Sequence, residues 1–214
     1  DIGLMPVAAR RIAGSKDIYN PEHRGENASV NFLNCHDGFT LWDMYCYNHK
    51  HNEANGWNNT DGTNDNRSWN CGHEGETSDP QVCALREKMM RNAIAVLMTS
   101  RGTPMILSGD EFGNSQKGNN NAYCQDNEIS WINWDLDEDD HKLLQFTRHL
   151  IHLRRDHPVM RRRRFLEGPA ERGGESELGE IEWFTPGGTH MTEEEWNQPW
   201  ARSTMVFYNG DAIR

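Results

Sequence analysis

The chain has 214 residues, which at roughly 150 residues per domain suggests one domain, or one domain and part of another. It carries 22 Lys and Arg against 33 Asp and Glu, so its net charge of −11 repels nucleic-acid phosphates and anionic membranes. The absence of any run of about 20 apolar residues excludes a membrane-spanning helix. A mean hydropathy of −0.91 is low for a self-contained globule, but the scattered aromatic residues argue against disorder.

The five cysteines are irregularly spaced, form no CxxC pair and are typical of free thiols in a reducing cytoplasm. Some of them fall close in sequence to histidines, but the spacing fits neither a paired structural zinc pattern nor HExxH. This group is Cys46, His49, His51, Cys71 and His73. We therefore predict a cytoplasmic protein with no metal and no cofactor.

In chain order, residues 4–13 predict a short helix that ends at Gly14, and residues 28–35 predict a strand that ends at His36-Asp37-Gly38. A long polar loop dense in Asn, Gly, Asp and Trp runs from about Tyr45 to Asp79. A loop of this length is usually functional or disordered, and its tryptophans argue against disorder.

A second helix is predicted to begin near Pro80 and to end at Arg101-Gly102. Its apolar face is predicted to hold Val82, Leu85, Met89, Ala93, Val96 and Leu97. Residues 103–108 predict a buried strand, and a second polar loop runs from Asp110 to Asn133. A third helix, starting at residues 137–140 and ending before Pro158, presents Leu143, Leu144, Thr147, Leu150 and Ile151 on one face.

Two strand–helix units, each with a polar loop at the carboxyl end of its strand, are typical of a parallel α/β barrel. A complete (β/α)8 TIM barrel needs eight such units and about 250 residues, and we find two. Beyond residue 158 the pattern changes to an arginine run at 161–164, a Gly/Glu-rich patch at 168–180, and two apolar strands at 181–184 and 205–208. We interpret the arginines as a solvated face and the strands as part of a different, β-rich domain.

In such a barrel the residues at the carboxyl ends of strands face the active site, which singles out His36-Asp37 and Asp110-Glu111. An aspartate accepts hydrogen bonds from two sugar hydroxyls while a histidine donates, so the first pair suits sugar recognition. The alternative is that His36 and Asp37 cap the following turn. For Asp110-Glu111 the choices are metal ligands, catalytic carboxylates or the acidic start of a short helix, and we favour the last.

Residues 30–37, VNFLNCHD, resemble the fourth conserved stretch of the α-amylase superfamily, glycoside hydrolase family 13. Longer segments are similar to its debranching branch, which contains glycogen debranching enzymes and isoamylases. These segments are AGSKDIY at 13–19, HDGFTL at 36–41, KHNEANG at 50–56, DGTNDN at 61–66, WNCG at 69–72, EGET at 74–77, GDEFG at 109–113, GNNNAYCQD at 118–126, WFTPGG at 183–188 and MTEEEWN at 191–197.

The resemblance implies an α/β fold: residues 1–157 form the C-terminal portion of the (β/α)8 barrel, with its last two strands at 29–35 and 103–108. Residues 158–214 begin a C-terminal all-β sandwich domain. The implied reaction is retaining hydrolysis of α-1,6 branch linkages in glycogen or its limit dextrin. The implied partner is therefore a branched α-glucan, with no nucleic acid and no membrane.

The resemblance also implies roles for individual residues. Asp37 matches the aspartate that stabilises the transition state by hydrogen-bonding the distorted sugar, and His36 matches its neighbouring substrate-binding histidine. Asn119, Asn120, Tyr123 and Asp126 lie in the loop after the eighth strand and are expected to bind substrate.

The departure from the family is the absence of a match to the nucleophile's Arg-x-Asp stretch and to the acid/base glutamate. We therefore expect a C-terminal fragment that is inactive by itself, and exposed sheet edges that favour self-association. Two alternatives stay open: an isoamylase or another α-glucan enzyme of the superfamily, such as a branching enzyme, and a non-catalytic carbohydrate-binding fragment.

Overall fold

A computed structural model of the chain describes residues 3–20, 23–168 and 178–211. The chain forms two compact units, each built from segments that are distant in sequence. The first contains Asp1–Asn31, Thr99–Pro104 and His152–Arg214, and the second contains Phe32–Met98 and Met105–Ile151. Among the described helices, none is both long enough and apolar enough to cross a membrane.

The helices and strands fall in four stretches, at 5–44, 80–104, 138–156 and 181–208. The helices are α1 (Met5–Ile12), α2 (Lys16–Tyr19), α3 (Leu41–Met44), α4 (Pro80–Thr99), α5 (Glu138–Asp156) and α6 (Glu193–Trp196). The strands are β1 (Val30–Asn31), β2 (Thr103–Pro104), β3 (Ile181–Phe184) and β4 (Met205–Tyr208).

Helix α1 ends as its sequence predicts. Gly14 has a φ of +93°, and its amide donates to the Arg11 carbonyl at 3.1 Å. A Cβ at this position would lie 2.8 Å from the Glu26 side chain and 3.2 Å from that of Arg101. Glycine therefore serves both the left-handed turn and the close approach of the chain to these two side chains.

Strands β1 and β2 pair in parallel, Val30 with Thr103 and Asn31 with Pro104. The direction agrees with the prediction, but the predicted lengths, 28–35 and 103–108, were wrong. Residues 32–35 and 105–108 have no ladder partner among the described residues. A strand is maintained by hydrogen bonds to its neighbours, so an apolar pattern without such a neighbour does not extend it.

Helix α4 occupies the predicted span, but its most deeply buried stripe is displaced by about one residue from the predicted one, with Leu97 common to both. Its buried side chains are Arg86, Met90, Ile94, Leu97 and Met98. Val96, which we predicted on the buried face, is 51% exposed. The helix has apolar residues on adjacent stripes, so the periodicity alone does not select the stripe that packs.

Helix α5 is close to its prediction. Leu143, Thr147 and Leu150 are buried as expected, whereas Ile151 is 44% exposed. The Thr147 hydroxyl donates to the Leu143 carbonyl one turn earlier at 3.0 Å, which satisfies its polar group inside the core.

The tail contains the predicted strands, which pair antiparallel with Ile181 opposite Tyr208. The Gly/Glu-rich patch predicted at 168–180 lies largely outside the described residues. The interpretation of the arginine run as a solvated face was wrong for Arg162, whose side chain is 19% exposed, while the Arg164 side chain is 49% exposed. Arg162 and Arg164 both pair with the carboxylate of Glu180, which is fully buried and attracts their charges.

The long loop at 45–79 contains one short 3-10 turn, Glu53–Asn55, and is otherwise held by hydrogen bonds. The Glu74 carboxylate accepts from the amides of Asn48 at 2.8 Å and His49 at 3.0 Å, and from the Asn70 side chain at 3.0 Å. The Trp69 amide donates to the Met44 carbonyl at 2.9 Å. A small core of Phe39, Cys46 and Tyr47, with Trp42 and Met44 against it, lies beneath the loop's start.

The first unit is built around a buried ion pair between Arg101 and Glu26, which are 0% and 1% exposed. Arg101 also donates to backbone carbonyls, including that of Arg164 at 3.2 Å, and Glu26 accepts from the Gly102 amide at 3.0 Å. Arg154 donates to the carbonyls of Ser100 and Gly102, the two residues that flank Arg101. The turn at 100–102 is thus fixed from two directions.

We expect Arg101→Ala to lower the free energy of unfolding by about 3–5 kcal/mol, because it leaves the Glu26 carboxylate buried without its cation. The measurement is equilibrium unfolding in urea. Arg11→Ala is the matched control, since Arg11 and Asp17 form an ion pair with side chains 38% and 41% exposed, and it should cost no more than about 1 kcal/mol. Equal effects of the two variants would contradict the central role of the buried pair.

Candidate functional site

His36 and Asp37 lie in a short loop that is fastened at both ends. The Asn34 side chain donates to the Phe39 carbonyl at 3.1 Å, which closes the loop on itself. The Gly38 amide donates to the Asn120 carbonyl at 3.0 Å, which attaches the loop to a second one. The backbone around the predicted site is therefore held in place.

The side chains of His36 and Asp37 project outward from this loop and are 86% and 81% exposed. His36 Nε2 lies 3.5 Å from Asp37 Oδ2. Helix α3 is capped by Thr40, whose hydroxyl accepts from the Asp43 amide at 3.2 Å, rather than by either of these residues. An imidazole and a carboxylate presented together to solvent can donate to and accept from the hydroxyls of one sugar.

Asp110 fixes the far end of the same loop. It is 3% exposed, and its Oδ1 accepts from the Leu41 amide at 2.9 Å. Burial raises the pKa of Asp110 to about 6, opposed by the hydrogen bonds from Leu41 and the Asn34 side chain. Asp110 opens a single 3-10 turn, Asp110–Phe112, which agrees with its favoured interpretation as the acidic start of a short helix.

A second buried carboxylate, Asp43 on α3, holds the loop that follows this turn. It is 0% exposed and accepts from the Ser115 hydroxyl at 2.6 Å, the Gln116 amide at 2.9 Å and the Gly118 amide at 3.3 Å. Burial raises the pKa of Asp43 to about 6, and these hydrogen bonds oppose the shift. Sequence reasoning overlooked Asp43 because an acidic residue in the first turn of a helix is ordinarily exposed.

Asn120 joins three loops and is 2% exposed. Its amide group donates to the Thr63 carbonyl at 2.9 Å and to Asn66 Oδ1 at 2.6 Å. Its backbone amide and side-chain oxygen form a reciprocal pair with the Asn52 side chain, at 3.0 and 2.8 Å. Its polar atoms are thus engaged by the protein itself.

Gly62 permits the approach of these two amides. Its φ is +73°, and a Cβ would lie 2.3 Å from Asn120 Oδ1 and 2.7 Å from Asn52 Nδ2. Any other residue would displace the hydrogen bond between Asn52 and Asn120.

Asn119 is likewise directed inward and is 1% exposed. Its side chain donates to Asn55 Oδ1 at 2.8 Å and accepts from the Asn121 amide at 2.9 Å. Asn52 and Asn55 belong to the segment KHNEANG, for which sequence reasoning gave no residue roles. The signal that could have found them is the pairing of two amide-rich loops, since buried amides must satisfy each other.

Tyr123 and Asp126, in contrast, face solvent. Tyr123 is 73% exposed, and Asp126 Oδ1 accepts from the Trp131 indole N–H at 3.0 Å. The structure therefore places four of the six predicted site residues at the surface and two in the support beneath it: His36, Asp37, Tyr123 and Asp126 outside, and Asn119 and Asn120 inside.

The cysteines lie at positions of different burial. The five cysteines are free, and burial raises the pKa of Cys46 to about 12, so this thiol stays protonated. Within the described parts of the chain, no three His, Cys, Asp or Glu side chains are grouped so that they could hold a metal ion.

Comparison with known proteins gives no matching family model. Over 96% of its length the chain is 54% identical to a glycogen operon protein GlgX homolog of Mycobacterium bovis, of which it covers 28%. It is 47% identical over 92% of its length to a glycogen debranching enzyme of Dickeya chrysanthemi, covering 29% of it. It is also 47% identical over 78% of its length to isoamylase 3 of Oryza sativa, covering 21% of it.

Among solved structures, a type I pullulanase from Bacillus subtilis in complex with maltose matches 83% of the chain with a TM-score of 0.55 and 24% identity, over 20% of that chain. This likeness shows a shared α/β fold. The predicted resemblance to glycogen debranching enzymes and isoamylases is confirmed by the named relatives, and the chain spans about 28% of the length of the first of them.

The two raised pKa values predict a pH dependence of stability. Since the fold raises the pKa of Asp43 from 3.8 to about 6, the folded state binds the proton more tightly, and this carboxyl's contribution to stability is lost as pH rises from about 4 to 6. Asp43→Asn removes the titration. Relative to the unmodified protein, the stability of this variant should increase by about 3 kcal/mol across that range, measured by urea unfolding at each pH.

The same argument applies to Asp110→Asn. The control is Asn120→Ala, a buried polar substitution without a titrating group, for which the stability difference should stay flat over the same range. If the stability difference between Asp43→Asn and the unmodified protein also stayed constant with pH, burial would not raise the pKa of Asp43.

Proposed function

We propose that this chain is part of a glycoside hydrolase that removes α-1,6-linked branches from glycogen or its limit dextrin with retention of configuration. The observation that carries the proposal is the 54% identity, over 96% of the chain, to a glycogen operon protein. Within that enzyme, residues 1–157 would form the C-terminal portion of the (β/α)8 barrel and residues 158–214 the start of an all-β domain. The parallel pairing of β1 with β2 and the antiparallel pairing of β3 with β4 support this division.

In this proposal Asp37 stabilises the transition state. Retaining hydrolysis uses one carboxylate as nucleophile and a second as acid and then base, and a third can hydrogen-bond the hydroxyls of the distorted sugar. Such hydrogen bonds strengthen as the ring flattens toward the oxocarbenium ion, so they lower the barrier more than they improve ground-state binding. The exposure of Asp37, on a loop held by Asn34, Asp110 and Asn120, suits this role.

We assign substrate contact to His36 beside it and to Tyr123 and Asp126 on the neighbouring loop. For Asn119 and Asn120 we propose an indirect part in substrate binding, because their amides are buried and hold the loops that carry the exposed groups. The partner is a branched α-glucan, and the location is the cytoplasm, as the free thiols favour.

A second candidate is an isoamylase acting on plant-type branched glucan. The 47% identity to isoamylase 3 of Oryza sativa favours this candidate. That match extends over 169 residues, whereas the match to the glycogen operon protein extends over 205. Comparing hydrolysis of glycogen limit dextrin with that of amylopectin by the complete enzyme distinguishes the two.

We expect Asp37→Asn in the complete enzyme to lower kcat at least about 100-fold while changing KM little, because the lost hydrogen bonds act mainly in the transition state. The measurement is the release of reducing ends from glycogen limit dextrin. Asp156→Asn is the control, since this carboxylate is 60% exposed at the end of α5, and its kcat should match the unmodified enzyme. A normal kcat for Asp37→Asn would remove Asp37 from the catalytic machinery.

The 214-residue chain produced by itself is expected to release no linear chains from a branched dextrin, because it contains no match to the family's nucleophile or acid/base. We also expect it to self-associate, since apolar side chains such as Val30 and Phe32 are about half exposed, at 50% and 52%. A reducing-end assay and light scattering test the two statements. Clear hydrolysis by pure chain would contradict the first, and a monodisperse monomer the second.

A further inference from the structure

A cavity of about 470 Å³ lies in the second unit, on the side of the 112–117 segment where residues 128–133 pack. It is large enough for a small ligand and is not part of the loop that carries Asp37. Its lining includes the exposed ring of Trp131, the buried ring of Phe112 and several polar side chains, among them Asn114, Asn133, Lys117 and Glu128. We call this cavity the Trp131 groove.

Trp131 is held in place although most of its ring is in contact with solvent. The side chain is 59% exposed, and its indole N–H donates to Asp126 Oδ1 at 3.0 Å. Its backbone amide donates to the Asn127 carbonyl at 2.9 Å, which fixes the turn that carries it. An aromatic ring held in one orientation and open to solvent offers a stacking surface for a ligand that has an apolar face.

The 114–117 part of the groove lining is fixed by the buried Asp43. Ser115, which lines the groove, donates its hydroxyl to Asp43 at 2.6 Å, and the Lys117 amide donates to the Ser115 oxygen at 2.9 Å. The Asn133 amide lies 3.5 Å from Asn114 Oδ1, and both residues line the groove. Both parts of the lining are therefore set before any ligand binds, which lowers the entropic cost of binding.

The charges around the groove select the class of ligand. Three carboxylates, those of Glu76, Glu128 and Asp140, line it with a single lysine, Lys117, so an anionic ligand is repelled. A metal ion is also disfavoured, because these carboxylates do not form a group that could hold one among the residues the structure describes. What remains favourable is a neutral ligand rich in hydroxyls, which can donate to carboxylates and place an apolar face on an aromatic ring.

We propose that the Trp131 groove binds a linear α-1,4-glucan segment, with Trp131 as the stacking surface and Glu128 and Asn114 as hydrogen-bond partners of its hydroxyls. The choice of an α-glucan rests on the proposed function. The groove and the Asp37 loop are connected through Asp43 and Asp110, since the 109–121 segment carries the groove wall and also contacts the Asp37 loop. The groove would thus hold a chain of the substrate beside the reacting branch.

The test is isothermal titration calorimetry of the complete enzyme with maltohexaose, for four variants. We expect Trp131→Ala to weaken binding about tenfold or more, because the stacking surface is lost, and Trp131→Phe to retain part of the affinity. Glu128→Ala, at an exposed position, should weaken binding several-fold and keeps the test valid if Trp131→Ala fails to fold. Trp57→Ala is the matched control, since Trp57 is 58% exposed and does not line the groove, and its affinity should be unchanged.

Kinetics on branched dextrins separate this inference from the proposed function. We expect Trp131→Ala to raise KM for long-branched substrates while kcat stays within about twofold, because the groove contributes uniform binding. Unchanged maltohexaose affinity in both Trp131→Ala and Glu128→Ala would overturn the inference, even if the enzyme debranches normally. Loss of maltohexaose binding in Trp131→Ala, found together with no activity of the unmodified enzyme on branched dextrin, would support the groove and reject the proposed reaction.

Discussion

The second unit depends on two aspartates, Asp43 and Asp110, that are buried among neutral hydrogen-bond donors. A buried carboxylate without donors is very costly, so the backbone amides and hydroxyls that surround each one must remain in place. For Asp43 these are the Ser115 hydroxyl and the Gln116 and Gly118 amides, and for Asp110 the Leu41 amide. The same requirement therefore fixes both the Asp37 loop and the wall of the Trp131 groove.

This arrangement separates groups that meet a ligand from groups that hold them. His36 and Asp37 are more than four-fifths exposed, whereas Asn119 and Asn120 are almost fully buried and bond to Asn55, Asn52 and the loop at 61–66. Amide pairs are suited to the supporting role because each supplies donors and acceptors without charge. In the first unit the buried pair of Glu26 and Arg101 does the corresponding work for the turn at 100–102.

The sequence predicted elements that depend on neighbouring residues better than those that depend on contacts between distant segments. Helices α1, α4 and α5 and the tail strands were predicted because capping residues, prolines and local periodicity specify them. The lengths of β1 and β2 were overestimated because strand length depends on partner strands. The most buried stripe of α4 was displaced from the predicted one, with Arg86 buried and Val96 exposed, because adjacent apolar stripes are equivalent until a neighbour packs on one of them.

The features of the candidate site also divide into those that the sequence predicts and those that depend on the tertiary structure. The sequence by itself determined the family resemblance, the pair His36-Asp37 after a strand and the amide-rich loop at 118–126, because these are properties of residue order. The tertiary structure decided which of those side chains face solvent, that Asp43 and Asp110 support them, and that Trp131 opens onto a groove. Burial and hydrogen-bond partnership are properties of distant segments brought together, since Asp43 and Ser115 are separated by 72 positions in the chain and by 2.6 Å in the fold.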